Sequence, residues 1–315
     1  MAVLDWLLDS DPAIRWQVLR DLVRAPEAEV AAERARIARA GWGARLLDCQ
    51  GDDGQWDGGA CFPGGWFDRD DTGKDLGQPW TSTLHTLQLL TGLGVDPADE
   101  RVQRAVERAR DNARWEYNGE LFFLGEVEPC VNGRVVEIGA YFGHDVEDVL
   151  KRLLGAQLED GGWNCYSENG SVVSSFASTL CVLDGLLAHQ NATGGTPATI
   201  EARRRGEEYL LSRRLFRRRS TGAVVVPEWL EFSFPTRWRY DVLRALDYFR
   251  ATGAEPDERL GEALDLVRAK QRPDGTWPLE NTHPGQVWFA LDEEVDGAPS
   301  RWNTLRALRV LDHYA

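Results

Sequence analysis

Three side chains of types that bind zinc fall in segments predicted to be loops. Cys130, Cys165 and His283 each stand in or at the end of such a segment, ahead of a predicted helix. Two thiolates and an imidazole, with a fourth position open, form a ligand set typical of a catalytic zinc ion. The sequence contains no C-x-x-C pair, so the spacing leaves two interpretations open. The three residues are zinc ligands, or they are small buried thiols and a loop histidine.

A run of acidic residues at 68–71 could supply a proton. Asp70 has a carboxylate neighbour on each side, at 68 and 71. A carboxylic acid that its neighbours keep protonated is a strong acid for its site and can protonate an alkene or an epoxide. Because the run lies in a glycine-rich, charged segment, a solvated acidic loop is the other interpretation.

A histidine occupies a repeated position in the predicted helices. His85 stands where equivalent helices carry Arg20, Cys181, Arg244 and Arg306. If that position faces a cavity, His85 supplies a base or a hydrogen-bond donor among arginines, which suits a carboxylate or a phosphate. A histidine packed between helices is the alternative.

Arginine and aromatic residues cluster where predicted helices begin. Arginine near a helix N-terminus suits a diphosphate or a carboxylate, and aromatic faces bind apolar chains and cations. The same arginines could pair with loop carboxylates, and tryptophan also packs between helices. The candidate substrate-binding residues are Trp80, Arg237, Trp238, Arg239, Tyr240, Arg301 and Trp302.

The composition excludes several kinds of partner. The 315 residues include 51 acidic and 36 basic side chains, for a net charge of −15. Such a chain repels phosphate backbones and anionic lipids, so we expect no nucleic-acid partner. No apolar stretch reaches the ~20 residues of a membrane span, no basic region precedes an apolar run at the N-terminus, and no nucleotide-binding motif is present. Five widely spaced cysteines are unlike a secreted disulfide framework, and we expect a cytoplasmic protein.

A seven-residue pattern recurs through the chain. Gln-x-x-Asp-Gly-x-Trp stands at 50–56, 157–163 and 271–277, each copy about 110 residues from the next. Each copy closes a charged amphipathic segment with an Asp-Gly turn. A spacing of this kind indicates a repeat architecture.

The elements between these turns are predicted to be helices of two kinds. Less charged helices are predicted to begin near residues 11, 79, 130, 174, 235 and 300, and charged ones to cover 27–49, 99–113, 145–157, 199–216 and 257–271, with a further helix at 2–9. Only 223–226 alternates as a strand does. We therefore predict a single all-α domain over 1–315, an (α/α)6 toroid of six hairpins. The less charged helices would line a central cavity, and the long connections would all lie on one face.

The repeated pattern resembles the QW repeats of squalene-hopene cyclases, oxidosqualene cyclases and protein prenyltransferase β subunits. The chain is most similar to short, single-toroid members, called squalene cyclase-like or prenyltransferase-like. That resemblance implies a central cavity for an isoprenoid or other small apolar molecule, and carbocation cyclisation or isomerisation. The sequence at 68–72, D-x-D-D-T, resembles the general-acid motif of class II terpene cyclases, which implies Asp70 as the proton donor.

Three hypotheses follow for the function. The first is a terpene cyclase-like enzyme or isomerase. The second is a zinc-dependent, prenyltransferase-like transferase or hydrolase, because prenyltransferase β subunits hold zinc near the mouth of the same kind of cavity. The third is a non-catalytic protein that binds an apolar molecule. Two toroids form the active site of the triterpene cyclases, whereas this chain has room for one, so its site must lie in its own cavity.

Overall fold

The computed structural model describes residues 3–69, 77–291 and 295–315, and this part of the chain is mostly helical. Its α-helices are α1 Val3–Leu8, α2 Pro12–Val18, α3 Glu27–Ala35, α4 Gly41–Asp48, α5 Thr83–Leu93, α6 Glu100–Asn112, α7 Pro129–Phe142, α8 Glu147–Gly155, α9 Phe176–Thr193, α10 Pro197–Leu211, α11 Val242–Ala251, α12 Gly261–Ala269 and α13 Arg301–His313. Two short strands, β1 Trp277–Pro278 and β2 Pro299–Ser300, pair antiparallel. The predicted all-α class is confirmed.

The predicted helices differ from the observed ones at three places. α5 and α11 begin at Thr83 and Val242, several residues after the predicted starts. At α11 the reason is a cap, because the Asp241 carboxylate accepts a hydrogen bond from the Arg244 amide. The predicted helix over 27–49 is broken into α3 and α4, since Gly41 adopts a φ of 70°. The Asp11 side chain would collide with a Cβ at this position.

The strand predicted at 223–226 is wrong. Within it, Val224 makes only an isolated antiparallel bridge to Arg217. Pro227 follows at once and begins a 3₁₀ helix. Because proline has no amide hydrogen, it cannot continue a ladder of backbone hydrogen bonds.

The three Gln-x-x-Asp-Gly-x-Trp segments connect helix ends. Trp56, Trp163 and Trp277 are fully buried. Each indole N–H donates, at 2.7 Å, to a carbonyl ten residues earlier in the preceding charged helix. Each backbone N–H donates to a threonine hydroxyl of a later, less charged helix. The glycine of each Asp-Gly pair has a positive φ of 83–99°. Each segment therefore joins the end of one helix to the start of another.

The less charged helices contact one another through polar side chains. Gln17 of α2 donates a hydrogen bond to a carbonyl of α5 and accepts one from Arg309 of α13. Asp184 of α9 forms ion pairs with Arg134 of α7 at 3.0 Å and with Arg244 of α11 at 2.8 Å. Helices from both ends of the chain thus lie side by side with the central ones.

Helices α7 and α9 approach each other most closely. A Cβ on Gly133 would lie 2.4 Å from the Cys181 carbonyl oxygen, and one on Gly185 would lie 2.3 Å from the Gly133 carbonyl oxygen. Only glycine permits this separation of the two backbones. Among the helices in the described ranges, none is both long enough and apolar enough to cross a membrane.

Candidate functional site

Two adjoining cavities lie among the less charged helices. The first, which we call the aromatic cavity, has a volume of about 740 Å³. The second, the arginine cavity, has a volume of about 480 Å³ and is lined by residues of α2, α5, α7, α9, α11 and α13. His85, Gln88 and Arg134 line both cavities and therefore form the boundary between them.

The aromatic cavity combines ring faces with acids and thiols. Its rings come mainly from the loops that precede the less charged helices, and they are Phe62, Phe67, Trp115, Tyr117, Tyr166 and Trp238. Glu126 and Glu128 also line it, and so do Cys130 and Cys165. A space of this size is typical of small-molecule sites. Its ring faces suit an apolar body.

Two of the three predicted zinc ligands come together in this cavity. Glu128 precedes α7 as its N-cap residue and Cys130 is the second residue of that helix, whereas Cys165 belongs to the loop between α8 and α9. The Sγ atoms of Cys130 and Cys165 lie 2.6 Å apart. The Glu128 carboxylate completes a group of three ligand atoms that all lie within 4.8 Å of one another.

The Cys165 sulfur lies in an environment that favours its thiolate. It accepts hydrogen bonds from the Cys130 amide and the Ser178 hydroxyl, both at 3.3 Å. The hydrogen bond with the Cys130 thiol, followed by that from Ser178, lowers the pKa of Cys165 although burial opposes this. The same thiol–thiol hydrogen bond and burial raise the pKa of Cys130. A sulfur beside a helix N-terminus is stabilised further as an anion.

The chemistry of this donor set fits zinc. Two sulfurs and a carboxylate are common zinc ligands, and three protein ligands leave the open position that catalytic sites keep. Two sulfurs on one tetrahedral zinc ion are about 3.8 Å apart, given bonds of about 2.3 Å. Zinc binding therefore requires the two sulfurs to move apart from their present 2.6 Å.

The third predicted ligand, His283, does not belong to this group. It lies in the segment between β1 and β2. Burial, and then the charges of Arg239 and Arg237, lower its pKa to about 4. Glu128 takes the place that we predicted for the imidazole. The predicted proton donor, Asp70, lies outside the described residues.

His85 lies at the boundary of the two cavities and is buried. The centroids of the Trp80 and His85 rings lie 4.9 Å apart, with the rings edge to face. The Nε2 atom of His85 lies 3.3 Å from Nε2 of Gln78. Its Nδ1 has no hydrogen-bond partner in residues 3–69, 77–291 and 295–315. Burial, and then the charges of Arg237 and Arg134, lower the pKa of His85 to about 3. At neutral pH it is therefore a neutral imidazole that can donate or accept a hydrogen bond.

The lowered pKa of His85 predicts a pH effect that can be measured. The unfolded chain binds a proton at this site near the ordinary pKa of 6.5, whereas the folded chain does so only near 3. His85 should therefore reduce the stability of the fold as pH falls from 6.5 towards 3, by up to about 1.4 kcal/mol per pH unit. In nitrogen NMR spectra the His85 ring should stay neutral from pH 8 to about pH 5 and titrate normally in urea. A ring that titrates near 6.5 in the folded protein would show the prediction to be wrong.

The predicted substrate-binding residues separate into three groups. Trp238 lines the aromatic cavity, and Arg237 and Trp302 line the arginine cavity. Trp80 is buried and donates to the Pro284 carbonyl. Trp80 and the remaining three residues line neither cavity. The Tyr240 hydroxyl donates to a core carbonyl, the Arg301 guanidinium lies over Trp6, and that of Arg239 lies over Trp238.

Sequence reasoning missed two acids of the site. Glu126 and Glu128 stand directly before Cys130, in Glu-Val-Glu-Pro-Cys, and this proximity was the available signal. Burial raises the pKa of Glu126, followed by the charges of Glu128 and Glu168, although backbone amides donate to its carboxylate. A carboxyl with a raised pKa can act as an acid in the cavity.

The comparisons with known proteins do not show a family. No family model matches the sequence, and no curated protein matches it. One solved structure that matches is described as a polysaccharide lyase, with a TM-score of 0.47 and 11% sequence identity over 99% of this chain and 96% of that one. At that distance the similarity says nothing about the activity of this protein.

Proposed function

We propose that the chain is a single (α/α)6 toroid of the squalene cyclase-like and prenyltransferase-like kind. Residues of α2, α5, α7, α9, α11 and α13 all line one cavity, as expected for six inner helices around an axis. The hydrogen bond between Gln17 of α2 and Arg309 of α13 joins the first and last of these helices. The long loops before the inner helices supply most of the aromatic cavity, as a toroid with one elaborated face requires.

For the activity, we propose a zinc-dependent transferase or hydrolase that acts on an isoprenoid or similarly apolar substrate. The observation that carries this proposal is the convergence of Glu128, Cys130 and Cys165 in the wall of the aromatic cavity. A catalytic metal needs ligands beside a space for the substrate, and this place in the described chain offers both.

In this proposal, separate residues of the cavity bind the substrate, hold the metal and donate a proton. The ring faces of the aromatic cavity hold the apolar body and exclude water from it. Glu128, Cys130 and Cys165 would hold the metal, and the hydrogen bonds to the Cys165 sulfur already lower the pKa of that thiol. A zinc ion at such a site lowers the pKa of a bound water or thiol and polarises a leaving group. Glu126, whose pKa is raised by burial, can give a proton to the leaving group.

Acid-initiated cyclisation or isomerisation, the chemistry of the cyclase relatives, is the second candidate. The observation that favours it is again Glu126, a buried carboxyl with a raised pKa in a cavity lined by aromatic rings. Such an acid can protonate an alkene, and ring faces stabilise the resulting cation. In this case Asp70 or Glu126 is the proton donor and no metal is needed.

Native mass spectrometry of the purified chain tests the proposal. We expect one zinc ion per chain, lost in Cys165→Ser and in Cys130→Ser and bound more weakly in Glu128→Gln. Cys49→Ser is the matched control, because Cys49 is a free thiol that lines neither cavity, and it should keep its zinc. Removing a thiolate ligand from such a site should cost more than the 10–100-fold in metal affinity that is typically lost with a supporting partner of a ligand.

Three results would contradict the zinc proposal. A folded chain that binds no zinc at micromolar metal would do so. Another is zinc that survives both cysteine substitutions. The third is a chain that lacks zinc and has both thiols joined, 2 Da lighter than the reduced chain. A metal-free chain that carries an isoprenoid would favour cyclisation if Glu126→Gln abolished turnover, and a binding protein if no turnover was found.

A further inference from the structure

The arginine cavity contains far more positive than negative side chains. Within the described ranges, eight guanidinium groups line it and three carboxylates do, those of Glu137, Asp184 and Asp247. Asp21 and Asp241 add two more from outside the lining, through Arg20 and Arg306. In the part of the chain that the structure describes, eight cations thus accompany five anions, in a protein whose overall charge is −15. The eight are Arg20, Arg34, Arg134, Arg237, Arg244, Arg250, Arg306 and Arg309.

Four of these arginines are deeply buried, which makes the excess costly. Arg134, Arg237, Arg244 and Arg306 are 3–7% exposed. Removing a guanidinium from water carries a penalty of several kcal/mol unless an anion is close by. Asp184 is shared by Arg134 and Arg244, and Asp247 is shared by Arg250, Arg306 and Arg309. Glu137 gives Arg134 a second carboxylate and Asp241 gives Arg306 another. Among the described residues, two carboxylates therefore each serve several guanidinium groups.

Two nitrogen atoms at the boundary with the aromatic cavity are still able to donate a hydrogen bond. Nε of Arg134 and Nδ1 of His85 are buried and have no hydrogen-bond partner among the described residues, and both residues line the cavity. Buried donors of this kind normally have a partner, so each one without a partner needs an explanation. An oxygen-rich ligand would accept from both.

The helix ends account for only part of the positive charge. Arg34 donates to the Gly94 carbonyl at 2.9 Å, at the C-terminus of α5, where a cation is favourable. Arg134, Arg244 and Arg306 lie instead within the first two turns of their helices. There the helix dipole favours an anion and disfavours a guanidinium. A bound anion beside these three guanidinium groups would therefore be stabilised by both the helix dipoles and the arginines.

We propose that the arginine cavity binds a small organic molecule with at least two negative charges, held through phosphate or carboxylate groups. Guanidinium groups bind both kinds of group with paired hydrogen bonds. A cavity of about 480 Å³ is large enough for a metabolite-sized ligand. The site is distinct from the zinc ligands and does not depend on the metal.

Isothermal titration calorimetry of the full chain tests this proposal with three probes, inorganic phosphate, succinate and chloride. We expect phosphate or succinate to bind with a Kd below about 1 mM, and chloride to bind far more weakly. The bound anion should also raise the midpoint of thermal unfolding. Tighter binding of phosphate would identify a phosphorylated ligand, and tighter binding of succinate would identify a dicarboxylate.

Two variants localise the binding. Arg237→Gln removes one buried charge and should weaken binding by about tenfold or more. Asn191→Asp places a negative charge at the rim of the same cavity without removing a guanidinium, and should weaken binding about fivefold. Gln103→Glu, on the exposed face of α6, adds the same charge elsewhere and should change nothing.

The Asn191→Asp result decides the matter if Arg237→Gln does not fold. The proposal is overturned if neither phosphate nor succinate binds below about 1 mM. It is also overturned if Asn191→Asp binds as tightly as the wild type, because the bound anion would then lie elsewhere.

Discussion

The Trp163→Ala variant should lose about 3–5 kcal/mol of unfolding free energy, the range for removing a large buried aromatic side chain. Trp163 is fully buried, and its indole N–H donates to the Leu153 carbonyl at 2.7 Å. Truncation therefore leaves a cavity and removes the hydrogen bond that the indole donates at the end of α8. Because the residue joins α8 to the start of α9, the loss should loosen both helices.

Urea denaturation followed by circular dichroism measures this loss. Trp163→Phe keeps most of the ring but removes the N–H donor, so it should lose about 1–3 kcal/mol. Trp56→Ala and Trp277→Ala remove the equivalent residues and should behave like Trp163→Ala. Tyr117→Ala is the control, since this aromatic side chain is exposed and should change stability by less than about 0.5 kcal/mol. A loss that small in Trp163→Ala would show that the segment does not brace the fold.

The Asp247→Asn variant should be destabilised by about 3–5 kcal/mol, because it removes the shared counter-charge of buried guanidinium groups. Asp247 forms ion pairs with Arg250 at 2.8 Å and with Arg306 at 3.9 Å, and also with Arg309. Although burial opposes ionisation, the charges of Arg309 and Arg250 hold the pKa of Asp247 well below its ordinary 3.8.

The same lowered pKa predicts how the effect depends on pH. The folded chain keeps this carboxylate ionised at pH values where the unfolded chain has protonated it. The stability that Asp247 contributes is therefore complete above its ordinary pKa of 3.8 and is lost as pH falls below that value. Wild-type stability should fall more steeply than that of Asp247→Asn between about pH 5 and pH 2.

Chemical denaturation at pH 7 and at pH 3 checks both statements. Asp265→Asn is a matched control, because Asp265 also pairs with an arginine three residues later but lies on an exposed surface. Its loss should be within about 0.5 kcal/mol. Equal losses for the two variants, or a loss at Asp247 that does not shrink at pH 3, would mean that these guanidinium groups do not need the carboxylate.

Much of the secondary structure was accessible from the sequence because its causes are local. The apolar spacing of the helices, the Asp-Gly turns and the polar caps lie within a few residues of the backbone that they shape. The all-α class and most helix positions follow from them. The errors lie where a distant residue intervened, as Asp11 does at Gly41, the first residue of α4.

The candidate site was only partly accessible. Cys130 and Cys165 were recognisable by type, and they lie together. Glu128 takes the place of His283 beside them. Glu128 is the N-cap residue of α7, and the start of this helix contacts the loop of Cys165, whereas His283 lies near Arg237 and Arg239.

The sequence by itself determined the helical class, the three repeated Gln-x-x-Asp-Gly-x-Trp segments and the residue types available for chemistry, because each depends on neighbours along the chain. The tertiary structure alone decided which groups share a cavity. The aromatic cavity joins Glu128 to Cys165, and the arginine cavity joins residues of helices from one end of the chain to the other. The physical reason is that electrostatic and ligand-binding chemistry depends on distance through space. Residues as far apart as Gln17 and Arg309 become neighbours only when the helices pack.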